Sequence, residues 1–445
     1  MILQRIFVVS LLAVLVCSTS SMTRRAEEEE SFMHIVGPGN ENNHGRSMLE
    51  KVTNFMNDLI TSKKNPKQRI FNVDDFGAKG DGSNDTMAFL EAWKIACKTP
   101  KSIILVPSNK TYVLKPPIKF LGPCKSKLIM RIHGTIKASS NMKEYEKDPR
   151  KWVSFEQVQD LTVDGGGTFN GNGKVWWESS CKINNTKGCH TSGAPTAATF
   201  DRCTNLRVTN LRFLNSQQIH VGFQRCRNVD VSDLTVIAPQ DSPNTDGIHV
   251  SSTEDINIKD CIIGTGDDCI SIVSGSKNVR VKDIMCGPGH GISIGSLGKH
   301  NSRDTVSDIH VQGVTLWGTT NGVRIKTWQG GQGYAKNIQF VNIKMMDVSN
   351  PIIIDQNYCD QKEPCLNQTD AVQVKNIVYK NIRGTSNSEL AMKYDCSKHD
   401  SCQSIRVENI RLFRHGDANV KSFCANGNVA VVGDIFPPLY CQQST

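Results

Sequence analysis

Short alternations of polar and apolar residues recur along most of the chain. Most of these four-residue units consist of a polar, an apolar, a polar and a β-branched or aromatic residue, and successive units start 23 to 39 residues apart. The units begin at Asn205, Asn228, Asp255, Asn278, Asp308, Asn337, Asn376 and Ser404, with a candidate earlier copy at Asp160. Such alternation is typical of a strand with one buried face. A repeat of this length predicts a solenoid in which each turn contributes short strands.

The predicted fold class is all-β, a right-handed parallel β-helix with a short N-terminal capping helix over Thr86 to Cys97. Irregular intervals fit this fold, because the loops of a solenoid lengthen without disturbing the stacked strands. A leucine-rich repeat would need a regular leucine framework. A β-sandwich would need hairpin turns such as Asn-Gly at a regular spacing of about eight to twelve residues. The sequence has neither pattern.

The first 70 residues differ from the repeats. Arg5, the apolar run Ile6–Val16 and the small residues Ser18–Ser21 are typical of a signal peptide over residues 1–21. The apolar run is too short to cross a bilayer, so a membrane anchor is the less favoured alternative. Residues 22–70 combine an acidic run, a Gly/Pro/Asn-rich stretch and a basic segment, and we interpret them as a propeptide or linker. Residues 71–445 are predicted to form one β-helix domain of a secreted protein.

The cysteine content agrees with an oxidising, extracellular location. Of the 16 cysteines, 15 follow the predicted signal peptide, so at least one lacks an intramolecular partner. Close spacing favours local disulfides within Cys181/Cys189, Cys359/Cys365, Cys396/Cys402 and Cys424/Cys441. No CxxC pair has histidines nearby, so a structural zinc site is not predicted. Sequons for N-glycosylation begin at Asn84, Asn109, Asn184 and Asn367, and we expect about half of them to be used.

The formal net charge of +9 favours an anionic partner. A basic surface attracts nucleic acid, anionic lipid or acidic polysaccharide. For a secreted protein the acidic polysaccharide is the expected partner, and neither nucleic acid nor a membrane surface is expected. On charge alone, a basic extracellular protein without a charged ligand remains an alternative. A solenoid buries its core within one chain, so we expect a monomer.

Polar motifs about one repeat apart mark the candidate site. They are Asn244-Thr245-Asp246, Gly266-Asp267-Asp268, Gly289-His290-Gly291 and Arg324-Ile325-Lys326. The motifs are separated by 21, 23 and 34 residues, about one turn each, and Tyr358 follows 34 residues further on. Residues one turn apart in a β-helix stack roughly 4.8 Å from each other. The motifs therefore predict three carboxylates, an imidazole and two cations on one face of the solenoid.

This set of residues fits the hydrolysis of a glycosidic bond. One carboxyl group must be protonated to deliver a proton to the leaving oxygen, and another must be ionised to activate water or to attack. Asp246, Asp267 and Asp268 repel one another when all are ionised, which raises at least one pKa and helps to keep a proton on the carboxyl group that acts as the acid. Arg324 and Lys326 alternate on a strand, so both point to the same side and can bind the carboxylate of a uronic acid.

Each motif also has an ordinary structural interpretation when taken alone. An Asp-Asp pair is usually a turn, a Gly-His-Gly segment is usually a loop, and an Arg-x-Lys pair is usually solvated surface. Asn244 has the further alternative of a structural role, because asparagine side chains often hydrogen-bond to turn backbone. The one-turn spacing of all the motifs favours a shared site.

At these motifs the sequence resembles the plant polygalacturonases, pectin hydrolases of the fruit-ripening and abscission type. The resemblance extends from about Phe71 to Cys441 and includes the segments Phe76–Gly82, Ser242–Gly247, Gly264–Cys269, Cys286–Gly291, Arg324–Gly331 and Asp355–Cys359. It implies a cell-wall enzyme that cleaves polygalacturonate internally by an inverting mechanism, without a metal or an organic cofactor. It also implies a disulfide between Cys269 and Cys286, and a propeptide of the fruit-type members within residues 22–70.

The resemblance further implies roles for individual site residues. Asp267 would be the general acid, Asp246 and Asp268 would activate the water, and His290 would tune the protonation of the acid. The residues that would bind galacturonate at the cleavage site are Asn244, Arg324, Lys326 and Tyr358.

Three alternatives stay open at the level of sequence. An exo-acting polygalacturonase, or a hydrolase of a branched pectin, would use the same residues, and the loops at the ends of the cleft would decide between them. A pectate lyase also uses a β-helix, but it binds Ca²⁺ through aspartates and takes an arginine or lysine as its base. A non-catalytic pectin-binding module would not need the complete set of carboxylates.

Overall fold

The computed structural model describes residues 68–183, 189, 193–361, 363–414 and 419–442. The predicted signal peptide (1–21), most of the predicted propeptide or linker (22–70) and the sequon at Asn184 lie outside these ranges. Within them, no helix combines the length and the apolar character needed to cross a bilayer. The first strand starts at Arg69, two residues before the predicted domain boundary at Phe71.

Strands make up most of the regular structure. The first are β1 (Arg69–Asn72), β2 (Asp81–Asn84), β3 (Ser102–Val106), β4 (Thr111–Leu114), β5 (Ile118–Leu121), β6 (Leu128–Ile132), β7 (Thr135–Ala138), β8 (Lys151–Glu156), β9 (Leu161–Asp164), β10 (Thr168–Asn170), β11 (Thr196–Asp201), β12 (Thr204–Leu214), β13 (Val221–Gln224), β14 (Arg227–Ile237), β15 (Ile248–Ser251) and β16 (Glu254–Lys259). The others are β17 (Ile262–Gly264), β18 (Ile270–Ile272), β19 (Lys277–Lys282), β20 (Met285–Cys286), β21 (Ile292–Leu297), β22 (Arg303–Gln312), β23 (Thr315–Trp317), β24 (Asn321–Trp328), β25 (Gln332–Val348), β26 (Asn350–Tyr358), β27 (Gln373–Ser386), β28 (Leu390–Asp395), β29 (Cys402–Arg414), β30 (Lys421–Ala425) and β31 (Gly427–Phe436). The described helices are α1 (Thr86–Lys98), α2 (Lys174–Glu178) and the 3₁₀ turns Val73–Phe76, Met142–Tyr145 and Lys299–Asn301.

The strands form one sheet of 20 strands and one of 11. The eleven-stranded sheet, called the site sheet below, consists of β5, β8, β11, β13, β15, β18, β21, β24, β26, β28 and β30. Its strands all pair in parallel. Because each turn of the chain adds one neighbour to the stack, the predicted parallel β-helix is confirmed.

The predicted repeat units lie in register on successive turns of the larger sheet. Leu206 pairs with Val229, Val229 with Ile256, and Ile256 with Val279. The column continues through Ile309, Ile338, Ile377 and Ile405. All of these side chains are buried, so the apolar second position of the unit builds the core.

The polar first position of each unit forms a corner of the solenoid. Asn205, Asn228 and Asn278 have φ between 53° and 55°, a left-handed conformation that Asn and Asp tolerate better than other non-glycine residues. The side-chain amide of Asn228 donates to Oδ1 of Asn205 at 2.7 Å, and that of Asn278 donates to Oδ1 of Asp255 at 2.6 Å. The same residues thus bend the chain and join one turn to the next.

Aromatic rings stack between turns beneath the site sheet. Phe155, Phe200 and Phe223 form a column with ring centroids 4.9 and 5.3 Å apart and interplanar angles of 10° and 12°. Burial of each ring stabilises the fold by about 1.5–3 kcal/mol. The column lies under β8, β11 and β13, so it supports the strand spacing next to the site.

The helix α1 covers the N-terminal end of this core. Its buried residues include Ala92, Trp93 and Ala96, which share one face because they are one, three and four positions apart. The ring of Trp93 lies 4.8 Å from that of Phe120 and 5.7 Å from that of Phe155. The predicted capping helix is therefore confirmed, and it shields the aromatic column from water.

Six disulfides join described cysteines. The pairs are Cys97–Cys124, Cys181–Cys189, Cys269–Cys286, Cys359–Cys365, Cys396–Cys402 and Cys424–Cys441. They include all four pairs expected from close spacing. Cys203, Cys226 and Cys261 are buried free thiols. The sequon residues Asn84, Asn109 and Asn367 are exposed, as the attachment of a glycan requires.

Candidate active site

All eight residues predicted for the site lie in one cleft on the outer face of the site sheet. The cleft has a volume of about 480 Å³. The eight residues are Asn244, Asp246, Asp267, Asp268, His290, Arg324, Lys326 and Tyr358. Lining residues that the sequence analysis did not name include Lys182, Gln218, His249, Ser271, Asn321 and Asp360.

The strand register explains why the motifs meet. β15, β18 and β21 pair through Ile248, Ile270 and Ile292. Asp246, Asp268 and His290 each lie two residues before one of these isoleucines, so they occupy equivalent positions on three successive turns. Asp267 lies one residue earlier, in the loop that leads into β18.

Asp268 is the most enclosed of the three carboxylates, with a side chain only 3% exposed. Lys326 Nζ donates to its Oδ2 at 3.0 Å, and Arg324 Nη2 donates to its Oδ1 at 3.0 Å. The hydroxyl of Ser293 donates to the same Oδ1 at 2.7 Å, and Arg324 Nε donates to that hydroxyl at 3.1 Å. Charge-assisted hydrogen bonds of this kind stabilise a buried negative charge.

Asp267 has a different environment. Oδ1 lies 3.0 Å from His290 Nδ1 and accepts a hydrogen bond from the backbone N–H of Asp268 at 2.9 Å. Oδ2 accepts from Nδ2 of Asn244 at 3.2 Å. Burial alone would raise the pKa of Asp267, but the hydrogen bond and charge of His290, together with the charges of Lys326 and Lys182, outweigh burial and lower the pKa to about 2. The Asp267–His290 pair thus holds a negative carboxylate beside a ring that can carry a proton.

Asp246 is the carboxyl group whose pKa is raised. Burial is the largest cause, followed by the negative charges of Asp267 and Asp268. Its Oδ2 accepts a hydrogen bond from the hydroxyl of Ser271 at 2.6 Å, and that hydroxyl lies 2.8 Å from His249 Nδ1. Burial lowers the pKa of His249 to about 4, so this ring is neutral near pH 7. Of the three carboxyl groups, Asp246 is therefore the one whose protonated form the site favours.

A close approach of two loops fixes the carboxylates relative to each other. The backbone N–H of Gly266 donates to Oγ1 of Thr245 at 2.9 Å. A Cβ atom at position 266 would lie 1.9 Å from the carbonyl oxygen of Ser242, so only glycine fits there. The disulfide Cys269–Cys286 begins immediately after Asp268 and ties this loop to the next turn of the larger sheet.

Buried His220 supports Asp246 from below. Its Nε2 accepts a hydrogen bond from the backbone N–H of Ser216 at 3.4 Å. The proton of the neutral ring is thereby assigned to Nδ1, which donates to the carbonyl oxygen of Asp246 at 3.0 Å. Burial lowers the pKa of His220 to about 4, so it holds the backbone of Asp246 without adding charge.

Tyr358 and two charged side chains form the far end and the rim of the cleft. The ring of Tyr358 packs edge-on against Trp328, and Lys326 Nζ lies 5.6 Å from its centroid. Lys182 precedes β11, Asp360 follows β26, and their charged atoms lie 3.8 Å apart. Both side chains are more than half exposed, and exposed ion pairs contribute at most about 1 kcal/mol. This contact therefore offers little resistance to a ligand entering the cleft.

The sequence analysis named Arg324 but missed the other three side chains of the row that supports the carboxylates. His249, Ser271, Ser293 and Arg324 are successive partners across β15, β18, β21 and β24. They are outward-facing strand positions, and each lies three residues after Asp246, Asp268, His290 or the equivalent Asn321. That constant offset was visible in the sequence, although serine and histidine at strand positions are too common to attract notice alone.

The carboxylates and the imidazole of the cleft are better suited to proton transfer than to metal binding. In the described part of the chain, Asp267, Asp268 and His290 offer ligand atoms within 4.8 Å of one another. Both oxygens of Asp268 already accept hydrogen bonds from the fixed cations Arg324 and Lys326. A divalent ion at this point would lie next to two positive charges, which opposes its binding.

A cleft with carboxylates in distinct environments, an imidazole and two cations, on a parallel β-helix, defines a glycoside hydrolase. The chain belongs to the glycosyl hydrolases family 28, whose family model matches residues 97–432. It is 54% identical over 379 residues to a polygalacturonase of Malus domestica (85% of this chain, 80% of that protein). It is 49% identical over 435 residues to polygalacturonase-2 of Solanum lycopersicum (96% and 94%).

Solved structures support the fold. Endo-xylogalacturonan hydrolase from Aspergillus tubingensis aligns with a TM-score of 0.71 and 22% identity, over 84% of this chain and 99% of that one. At this identity the likeness concerns the fold alone.

Replacing Asp246 with asparagine is expected to stabilise the fold near neutral pH. Burial, Asp267 and Asp268 raise the pKa of Asp246 in the folded protein, whereas the unfolded chain has the ordinary value of about 4. At a pH between these two pKa values the folded state binds more protons than the unfolded state. The stability of the wild-type protein therefore decreases as the pH rises through the raised pKa. The Asp246→Asn variant lacks this loss, so it should be more stable than wild type at pH 7 and similar below about pH 4.

Urea unfolding of both proteins between about pH 3 and pH 7 measures this difference. The low pKa values of His220 and His249 change the stability of both proteins in the same direction, so the contributions of these two histidines largely cancel in the difference between the proteins. A difference that stays constant across the range would contradict a raised pKa.

Proposed function

We propose that this protein is a secreted endo-polygalacturonase that hydrolyses α-1,4-galacturonosyl linkages of de-esterified pectin in the cell wall. The observation that carries the proposal is the cluster of Asp246, Asp267 and Asp268 beside Arg324 and Lys326 in one cleft. Carboxylates arranged for acid–base hydrolysis next to fixed cations fit a sugar polymer that is itself anionic. The relatives in Malus domestica and Solanum lycopersicum carry the name polygalacturonase.

Arg324 and Lys326 retain donors for a galacturonate carboxylate after binding Asp268. Arg324 uses Nε and Nη2 within the protein, which leaves Nη1 free to donate, and Lys326 has three donors of which Asp268 takes one. Their side chains are 14% and 10% exposed, and both line the cleft. Tyr358 offers a hydroxyl and a ring edge to the same sugar, and the side-chain oxygen of Asn244 is available beside Asp267.

Asp267 is the proposed general acid, supplied with a proton by His290. The pKa of Asp267, about 2, means that its carboxyl group does not hold this proton without a change in its surroundings. A sugar that excludes water from the cleft weakens the solvation of separated charges and so favours a neutral carboxyl beside a neutral ring. The carboxyl then protonates the leaving glycosidic oxygen as the bond breaks.

Water attacks the anomeric carbon from the opposite face and loses its proton to Asp246 or Asp268. Asp246 is the stronger base of the group when ionised, because its pKa is raised. The carboxylate of Asp268, held by Lys326 and Arg324, also stabilises the positive charge that develops on the sugar. One proton leaves the acid and one enters the base in each turnover, and the product configuration is inverted.

Internal cleavage is supported by cavity space on both sides of the carboxylates. A second cavity of about 270 Å³ adjoins the cleft and shares Lys182, Gln218 and Asn244 with it. It extends the binding surface towards the N-terminal turns, while Tyr358 lies towards the C-terminal turns. A polymer can therefore contact the protein on both sides of the bond to be cut.

The disulfides and the exposed sequon residues support a secreted protein. No nucleic acid or membrane partner is proposed, and the closed core of the solenoid supports a monomer.

Purified protein is expected to hydrolyse de-esterified polygalacturonate in the presence of a calcium chelator. Reducing ends and viscosity are followed together. An early collapse of viscosity with few reducing ends means internal cutting, because each internal cut shortens a long chain greatly.

Two results would contradict parts of the proposal. Reducing ends that appear while viscosity is nearly preserved would indicate an exo-acting enzyme. Unsaturated products that appear only after calcium is restored would indicate a lyase and overturn the hydrolytic mechanism.

A further inference from the structure

A row of cations lies outside the catalytic cleft, on the larger sheet. Lys344 of β25 pairs with Arg383 of β27, which pairs with Arg411 of β29. All three side chains are exposed. Neighbouring strands lie about 4.8 Å apart, so three positive charges repeat along the solenoid axis at one-turn intervals.

These cations line a groove with a volume of about 610 Å³. Its other edge is a corner formed by Asn342, Asn381 and Asn409, which have φ between 53° and 56°. The side-chain amide of Asn381 donates to Oδ1 of Asn342 at 3.0 Å, and that of Asn409 donates to Oδ1 of Asn381 at 3.3 Å. The groove, called the basic groove below, is therefore fixed along one edge by a ladder of side chains.

The charge of the basic groove is only partly neutralised within the described part of the protein. Arg411 forms an ion pair with Asp434, whereas Lys344 and Arg383 form none with a carboxylate in the described ranges. Like charges directly opposite each other on neighbouring strands are destabilising, and exposed side chains contribute little to the core. A role in folding therefore does not explain this row.

The surrounding strands increase the positive charge. Across β25, β27 and β29, eight residues are Lys or Arg and only two are Asp or Glu. Earlier in the same sheet, β14 has one arginine and two aspartates. Positive charge is thus concentrated locally on these three strands.

We propose that the basic groove is a second binding site for acidic polysaccharide, separate from the catalytic cleft. A linear polyuronate laid along the solenoid axis would place successive carboxylates near Lys344, Arg383 and the exposed part of Arg411. Binding there would hold the enzyme on its polymer while the cleft on the site sheet releases one product and takes up another segment. The choice of a uronate polymer as the ligand rests on the proposed function.

The test measures binding to soluble de-esterified polygalacturonate in an Asp267→Asn background, which prevents degradation of the polymer. The double variant Lys344→Gln/Arg383→Gln is compared with Arg207→Gln/Arg280→Gln, which removes two exposed cations from earlier turns of the same sheet. We expect the first pair to raise Kd about fivefold and the second less than twofold. Asp434→Asn should lower Kd, because it frees Arg411.

Turnover provides the second readout, with Asp267 intact. A short galacturonate oligomer that fills only the cleft should be hydrolysed equally by wild type and by Lys344→Gln/Arg383→Gln. An equal rise in Kd for both double variants would show that binding depends only on the net charge of the protein, and it would overturn the proposal. The assignment to polysaccharide would be overturned if wild type bound double-stranded DNA more tightly than polygalacturonate and Lys344→Gln/Arg383→Gln lost that binding. If wild type hydrolysed no galacturonate, the proposed function would fail while the Kd comparison still tested the groove.

Discussion

Replacing Asp267 with asparagine is expected to lower kcat on polygalacturonate by about a thousandfold, within the usual range for loss of a general acid. An amide has no proton to deliver to the leaving oxygen. It keeps the size of the side chain, and its oxygen can still accept from the backbone N–H of Asp268. The change should therefore act on chemistry rather than on folding.

Initial rates and thermal unfolding of the same preparations measure this effect. Asp360→Asn is the matched control, because Asp360 is a carboxylate in the same cleft whose ion pair with Lys182 is exposed. We expect that control to keep kcat within a few-fold of wild type. Near-normal turnover of Asp267→Asn would remove Asp267 from the role of acid, and Asp246 would become the candidate.

The placement of the motifs could be predicted because the repeated units in the sequence show how many residues make up one turn. The intervals of 21 and 23 residues between Asp246, Asp267 and His290 match one turn of short loops. The interval of 34 residues to Arg324 is longer, yet Arg324 still pairs with Ser293 on the preceding turn. The extra residues lie in loops and in the 3₁₀ turn Lys299–Asn301, and loops of a solenoid absorb length without changing the register.

The partners within the site could not be predicted from spacing. Arg324 and Lys326 were assigned to the substrate, but in the structure both also bind Asp268. Contact between them depends on which side chains lie opposite each other across three turns, and on their rotamers. Linear sequence contains the register only indirectly and the rotamers not at all.

The distribution of protons was also beyond the sequence. Repulsion among three carboxylates predicts one raised pKa, and that is what the structure has. The raised pKa belongs to Asp246 rather than to the proposed acid, because His290 contacts Asp267 and lowers its pKa. A difference of a few ångströms decides which carboxylate contacts the imidazole. The spacing of the repeats predicts only on which turn a residue lies.

Replacing Lys326 with methionine is expected to destabilise the fold by about 3 kcal/mol at pH 7 and to abolish most activity. Its Nζ is 3.0 Å from Oδ2 of Asp268, and the two side chains are 10% and 3% exposed. Methionine fills a similar volume but leaves Asp268 with Arg324 as its one remaining cationic partner among the described residues. Lys393→Met is the control, because Lys393 pairs with Asp395 at a more exposed place on the same sheet and should change stability by under about 1 kcal/mol.

A second substitution separates the structural and catalytic consequences of losing Lys326. In Lys326→Met/Asp268→Asn the buried charge is gone together with its partner, so urea unfolding should show most of the lost stability restored. Activity should stay low, since neither the uronate-binding cation nor the negative charge beside the developing oxocarbenium ion is present. Recovery of both stability and turnover would mean that Lys326 serves only to neutralise Asp268. Restored stability with a persistently raised KM for de-esterified oligomers, and little change for methyl-esterified ones, would instead assign Lys326 to the recognition of the uronate carboxylate.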